Sequence, residues 1–394
     1  MIPLEVQSDA DGAERSTQMI SSIQLTGYRG FERFEMVGVG RVNLLVGTNN
    51  SGKTSVLEAI DLLTSRGDPV SLWSLLWRRG ERLVVVAPPA ERAPRSQQQQ
   101  VEAEVCHLFT GHEVHPQSTF TLTARNQTPE RSLTFTIVEL SAKERVEIFG
   151  PSDDGTLPSR LALQIKGSPA PITSLVPLSQ YGSMAYSALE TTRRRRSIAD
   201  NPPSQFITTD SLSMENLVSL WNNVALKPEE ELVLRALRFF DNDIERIATQ
   251  SSVQPFFFGV PSRGGFIVKR KGVEQPIPIG SMGDGMWRML AMAIAITQCK
   301  DGVLLVDEID TGLHYTVMAD MWRLIHGAAK EFNVQVFATT HSFDCVHSLA
   351  CVCVGNGDSK DQVTLHRIER GKSKSIPYSE EEIRVAAERN IEMR

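Results

Sequence analysis

Residues 47–54 read Gly-Thr-Asn-Asn-Ser-Gly-Lys-Thr, which fits the phosphate-binding pattern G-x-x-x-x-G-K-[ST] at every position. The run before it, Val42-Asn43-Leu44-Leu45-Val46, has the make-up of a buried strand. The run after it, Ser55-Val56-Leu57-Glu58-Ala59-Ile60, reads as the start of an amphipathic helix. Strand, loop and helix in that order are the setting such a loop needs. Gly47 and Gly52 let the backbone turn so that successive N–H groups face an anion. The helix start near Lys53 adds a positive dipole end, the Lys53 ammonium places a charge on the β- and γ-phosphates, and the Thr54 hydroxyl is a ligand for Mg²⁺. The segment predicts that the chain binds a nucleoside triphosphate.

Three later segments extend the site. Val303-Leu304-Leu305-Val306 is an apolar strand that ends in Asp307-Glu308. Open parallel sheets carry functional groups at strand C-termini, so these acids are expected beside the loop. Asp307 would hold Mg²⁺, and Glu308 would orient and deprotonate the attacking water. The next strand, Val334–Ala338, runs into Thr339-Thr340-His341-Ser342, where His341 is suited to a γ-phosphate. Upstream, Ser281-Met282-Gly283-Asp284-Gly285 opens a helical run and makes a second anion cradle. One nucleotide rarely needs two cradles in one chain. Ser281, Gly283 and Gly285 are therefore expected to cap the triphosphate held by another subunit.

The 394 residues allow two or three lobes. A net charge of −6 excludes a protein that coats nucleic acid throughout, though it leaves room for local basic patches such as Arg193–Arg196, Arg78-Arg79 and Lys269–Lys271. No apolar run approaches a membrane span. Five cysteines without paired zinc spacing suit a reducing cytoplasm, and Cys351 and Cys353 are expected on one face of a strand. His107, His112 and His115 crowd together but lack partner acids at fixed spacing, so they read as structural.

Residues 1–18 read as a disordered tail and Ile20–Met36 as a hairpin around Tyr28-Arg29-Gly30. Pro88–Gln100 is a Pro-, Ala-, Arg- and Gln-rich excursion. Segments 66–210 read as a β-rich lobe with flexible loops, and 211–252 as helical, with Leu217, Leu220, Trp221 and Val224 at helical spacing.

The order of these motifs resembles the head of an ABC-type ATPase. The long interval between Lys53 and Ser281 resembles the SMC/RecF group, and the wording around Asn43–Lys53, Asp307–His314 and Gln335–Ser342 resembles the overcoming-lysogenization-defect (OLD) family. The resemblance implies an α/β P-loop NTPase with ABC-head architecture built from 19–65 and 253–394, plus an inserted β-rich and helical lobe. It implies that ATP and Mg²⁺ are the cofactors. Gly47, Asn49, Asn50, Ser51, Gly52, Lys53, Thr54 and Ser55 would form Walker A, with Asp307 and Glu308 as Walker B. Asp310 would lie in the D-loop, His341 would be the switch histidine, and Arg29 would match a basic residue that reaches the nucleotide. The Q-loop glutamine has Gln205 as its best local match. About fifty residues follow His341, too few for the Toprim nuclease of OLD proteins, and no heptad array is present.

The expected function is an ATPase whose ATP-driven dimer, or higher even-numbered oligomer, gates a separately encoded effector, with a nuclease in prokaryotic defence as the effector the resemblance implies. The alternatives are a RecF-like ATPase that clamps DNA and an ATP-dependent scaffold.

Overall fold

Three runs of the sequence are apolar at nearly every position, and all three are completely buried strands: Val42–Val46, Val303–Val306 and Gln335–Thr339. Such runs belong in a parallel sheet covered on both faces. In a computed structural model they form the centre of a six-stranded sheet in the order Ser204–Ile207, Val303–Val306, Gln335–Thr339, Val42–Val46, Val363–Arg367, Ile376–Tyr378. The first five strands run parallel and the last is an antiparallel edge. The structure describes residues 19–86, 99–125, 130–149, 160–169, 172–179, 181–186, 189, 202–210, 212–250, 256–257, 260–261, 265–353 and 362–394. The tail 1–18, most of the 88–100 excursion and Arg193–Arg196 lie outside the described residues.

Alternation along Val42–Val46 divides the molecule into two cores. Val42, Leu44 and Val46 face one side, where helices Asp284–Gln298 and Tyr315–Glu331 pack together with the helical segment Met214–Asn222 and Glu230–Arg238. Leu45 faces the other, with Leu305 and Phe337. There the helix Lys53–Thr64 lies between the parallel sheet and a second sheet, and ten of its twelve residues are buried, which explains why its apolar stripe extends around most of the helix. The covering sheet is an antiparallel meander, Phe31–Val37, Ser22–Tyr28, Thr119–Arg125, Arg131–Glu139, Leu161–Ser168, Ile172–Pro177.

That sheet differs from the expected inserted lobe. The four strands from Thr119 to Pro177 continue the N-terminal hairpin, because Thr119–Arg125 pairs with Ser22–Tyr28 in register from Ser22↔Arg125 to Thr26↔Thr121. Alternation predicts strands but says nothing of which edge they extend. The cysteine pair differs too: Cys351 and Cys353 lie on the helix Phe343–Cys353, one exposed and one buried. A short apolar run does not distinguish strand from helix. Among the described residues no helix is long and apolar enough to cross a membrane.

Polar groups inside the sheet are paired. Asn43 donates to the carbonyls of Gly40 and Val336 and accepts from Thr364 Oγ1. Gln335 clamps both backbone groups of Ile20, tying the first strand to the parallel sheet. His366 is fully buried between Thr364 and Ser375, and burial pushes its pKa down to about 4, against roughly 6.5 when unfolded. Between those values the unfolded chain binds a proton that the folded chain refuses. Stability from this group is thus complete above the unfolded value and is lost as pH falls toward 4. Urea unfolding at about pH 7 and about pH 5 should show the wild type losing about 2 kcal/mol more than a His366→Gln variant. Equal losses in the two proteins would disprove the assignment.

Candidate functional site

The loop after Val46 is shaped by glycines at two places where no other residue fits. Gly47 has φ +143°, and a Cβ there would lie 2.2 Å from the Ile368 carbonyl oxygen; Gly52 has φ +101° and would drive a Cβ into the Phe31 ring at 2.4 Å. Close packing of the loop on both sides fixes its path. The loop opens on a cavity of about 370 Å³, lined by Asn49–Ser55 together with Arg79, Asp307, Glu308, Thr339 and His341. The sheet order explains this gathering: Gln335–Thr339 lies between the loop strand and the acid strand, so all three strand ends meet at one edge.

Inside the cavity Lys53 Nζ donates to the carbonyls of Gly47 and Thr48 at 2.9 and 3.0 Å and stands 3.4 Å from His341 Nδ1. Burial holds the Lys53 pKa below its ordinary value, while the carboxylates of Asp307 and Glu308 pull it back up. The Thr54 hydroxyl lies 3.1 Å from both Asp307 oxygens. Asp307 also accepts from Thr339 Oγ1 at 2.6 Å, and that hydroxyl accepts from the Glu308 N–H at 2.8 Å. Glu308 itself adopts φ +48°, unusual for a side chain with a Cβ, and its Oε1 lies 3.8 Å from His341 Nε2. A strained residue held by its surroundings is a common device at functional sites. Asp310 accepts from Thr340 Oγ1 at 2.5 Å, which ties the loop after the acid pair to the strand end before His341.

Two features fit the cavity to a triphosphate and its metal. Ser51 Oγ is buried without a hydrogen-bond partner, an orphaned donor in the loop. The Thr54 hydroxyl and the Asp307 carboxylate form the hard oxygen pair that suits Mg²⁺.

The second cradle lies elsewhere. Ser281 is exposed in a short turn, Ile279–Met282, and exposed Gly283 precedes the helix Asp284–Gln298 with φ +96°. Neither residue lines the cavity of its own chain. Gly285 is buried against the next loop, where a Cβ would lie 2.9 Å from the Gly312 carbonyl oxygen. The cradle is thus packed onto the loop that carries Asp310.

Arg29 is placed differently from the expectation. It is buried, with Nε 3.0 Å from Glu58 and Nη1 2.6 Å from Glu81, and it does not line the cavity. Two carboxylates beside a desolvated guanidinium outweigh any reach toward solvent. Arg79 occupies the wall instead, held by Glu58 at 2.7 Å and donating to Ser55 at 3.2 Å. In the sequence Arg79 stands out only as half of a basic pair. Arg288 was also missed: it projects from an apolar helix, is 2% exposed, and donates to the carbonyls of Thr208, Asp307 and Glu308. A lone arginine in an otherwise apolar helical run is the signal that could have found it. Gln205 lies in the edge strand Ser204–Ile207, paired with Leu304.

Three described residues of the other basic clusters are engaged within the chain. Arg78 pairs with Asp61, Arg270 with Asp241, and Lys269 donates to the backbone at 273 and 274.

Comparison with known proteins agrees with this geometry. Residues 19–155 match a family model described as an AAA ATPase domain, and residues 192–344 match one described as an AAA domain, putative AbiEii toxin, Type IV TA system. Over 380 residues the chain is 21% identical to an ATP/GTP phosphatase of Helicobacter pylori, which spans 91% of this chain and 95% of that one. Among solved structures, an SMC head domain from Thermotoga maritima is 13% identical, with a TM-score of 0.43 over 92% of this chain and 99% of that one. An SMC head bound to the C-terminal winged-helix domain of ScpA is 12% identical, with a TM-score of 0.46 over 91% and 97%. The two ATPase models between them span the P-loop, the Ser281–Gly285 loop and the acid strand, and the three segments share one parallel sheet or pack against it: both halves of the chain are similar to AAA-type ATPase domains.

Proposed function

We infer that the chain hydrolyses ATP at a site completed by the Ser281–Gly285 cradle of a second copy, so that nucleotide governs the pairing of two chains. The observation that carries this reading is the separation of the two anion cradles. The P-loop cavity gathers Lys53, Thr54, Asp307, Glu308 and His341, while Ser281 and Gly283 face solvent outside it. Two copies facing each other would bring each Ser281 to the other's triphosphate.

Within the cavity Lys53 would exchange the carbonyls of Gly47 and Thr48 for phosphate oxygens. Glu308 would take the proton of the attacking water, and His341, between Glu308 and Lys53, would meet the terminal phosphate. Thr54 and Asp307 would hold Mg²⁺, whose contribution when bound is to neutralise phosphate charge. The name of the Helicobacter relative supports nucleotide hydrolysis as the reaction class. Closure on ATP and release on hydrolysis would then act on a separate effector protein. The toxin–antitoxin wording of the second family model supports such a regulatory setting, with a prokaryotic defence nuclease as the candidate effector.

Light scattering on the eluting protein tests the reading. A Glu308→Gln background, which slows turnover, should shift from one-chain to two-chain mass on adding ATP and Mg²⁺. Ser281→Arg in that background should bind ATP yet stay single. Lys53→Ala should lose ATP binding by about a hundredfold or more, roughly 2.7 kcal/mol. Pairing of the Ser281→Arg protein at wild-type ATP concentrations would refute the shared site. Binding of a labelled DNA duplex that weakens steeply with salt would move the reading to a DNA clamp.

A further inference from the structure

Outside the nucleotide cavity, the end of strand Gln99–Glu104 and the turn after it bring three different ligand types together. A carboxylate oxygen of Glu104, the Sγ of Cys106 and a ring nitrogen of His107 all lie within 4.8 Å of one another. His107 Nε2 is 3.9 Å from Glu104 Oε2. On the other edge of the ring, His107 Nδ1 faces His112 Nδ1 at 3.3 Å. A hydrogen bond across that gap requires one proton. When His107 carries it, Nε2 keeps its lone pair on the Glu104 side, and His112 acts as the acceptor that orients the ring. Metal-ligating histidines use their second nitrogen in this way.

The backbone that presents these groups is held in place. The Glu104 N–H donates to the Glu81 carbonyl at 3.0 Å, the Phe109 N–H to Cys106 at 3.1 Å, and the His112 N–H to Phe109 at 3.1 Å. Arg29 donates to the His107 carbonyl at 3.3 Å, and His112 is kept at φ +58°. Glu104, Cys106 and His107 are all partly exposed, so an ion can arrive from solvent. His115, which the sequence groups with the other two histidines, lies apart in an exposed pair with Glu113.

We propose that Glu104, Cys106 and His107 bind a zinc-class divalent transition ion, with His112 as the orienting partner and a fourth position open to water. Thiolate, imidazole and carboxylate together suit such an ion, whereas Mg²⁺ and Ca²⁺ favour oxygen alone. Binding forms an Sγ–metal bond as the Cys106 thiol releases its proton to solvent. Glu104 and Cys106, neighbours of the three histidines in the chain, supply the acid and the soft ligand that the histidines lack by themselves.

Cobalt(II) added to the full chain, freed of metal by chelator and dialysis, tests this. One equivalent should give a thiolate-to-cobalt charge-transfer band, and zinc should displace it. Cys106→Ser should abolish the band. Glu104→Gln, a change at a partly exposed side chain, should weaken zinc by about tenfold or more in competition with a chelating dye, and His112→Ala by roughly 10–100-fold. ATP binding measured on each variant reports that it is folded. Absence of the band in the wild type, its persistence in Cys106→Ser, or unchanged zinc affinity in Glu104→Gln would overturn the proposal.

Discussion

Replacing Glu308 by glutamine is expected to lower the rate of ATP hydrolysis by about 10²–10⁴-fold, equivalent to roughly 3–5 kcal/mol of barrier, while ATP still binds. The carboxylate sits at the end of the acid strand with φ +48°, lines the cavity, and lies 3.8 Å from His341. Glutamine preserves the shape and the contact with Thr311 but cannot accept the proton of the attacking water. The binding groups belong to other residues: Lys53, the loop N–H groups and Thr54 remain in place. The expected result is therefore a loss in kcat with little change in nucleotide affinity. That split distinguishes a base from a structural acid, which would lose both together. Release of phosphate from saturating ATP, compared with equilibrium binding of a fluorescent ATP analogue, measures the two quantities. Hydrolysis at the wild-type rate would remove Glu308 from the chemistry.

The legible parts of this chain are those whose signal is local. Gly47–Thr54 is contiguous, and its conformational demands are written in two glycines that admit no Cβ. Asp307-Glu308 and His341 are legible because each follows a largely apolar, fully buried strand, and parallel sheets gather such strand ends. Long-range pairing left no such trace. Nothing in Thr119–Arg125 identifies Ser22–Tyr28 as its neighbour, so the meander reads as a separate lobe although it continues the hairpin. Arg29 and Arg79 look alike in sequence and both pair with Glu58, yet Arg29 is buried with Glu81 as a second carboxylate while Arg79 stands at the cavity wall. The helical segment shows its period clearly, yet periodicity does not reveal that its apolar face packs on the Asp284–Gln298 helix.

Arg288→Met should destabilise the fold by about 3–5 kcal/mol, a large effect for one residue far from the surface. The guanidinium is 2% exposed, and burial pushes its pKa down to about 10 against the pull of Asp307, Asp310, Glu308 and Asp210. It remains charged at neutral pH and joins three backbone carbonyls: Thr208 after the edge strand, and Asp307 and Glu308 at the acid strand. Methionine fills similar volume but leaves three carbonyls without their donor, each costing about 1–3 kcal/mol if water does not replace it. Lysine keeps the charge but not the planar fork, so Arg288→Lys should recover only part of the loss. The effect should reach the chemistry as well. A left-handed Glu308 persists only where its surroundings determine it, and Arg288 holds the carbonyl of that residue. At a low temperature, where the variant is folded, kcat should fall further than ATP affinity. Urea denaturation of the three proteins gives the stabilities, and a loss under about 1 kcal/mol for Arg288→Met would show that the acid strand holds its end without this residue.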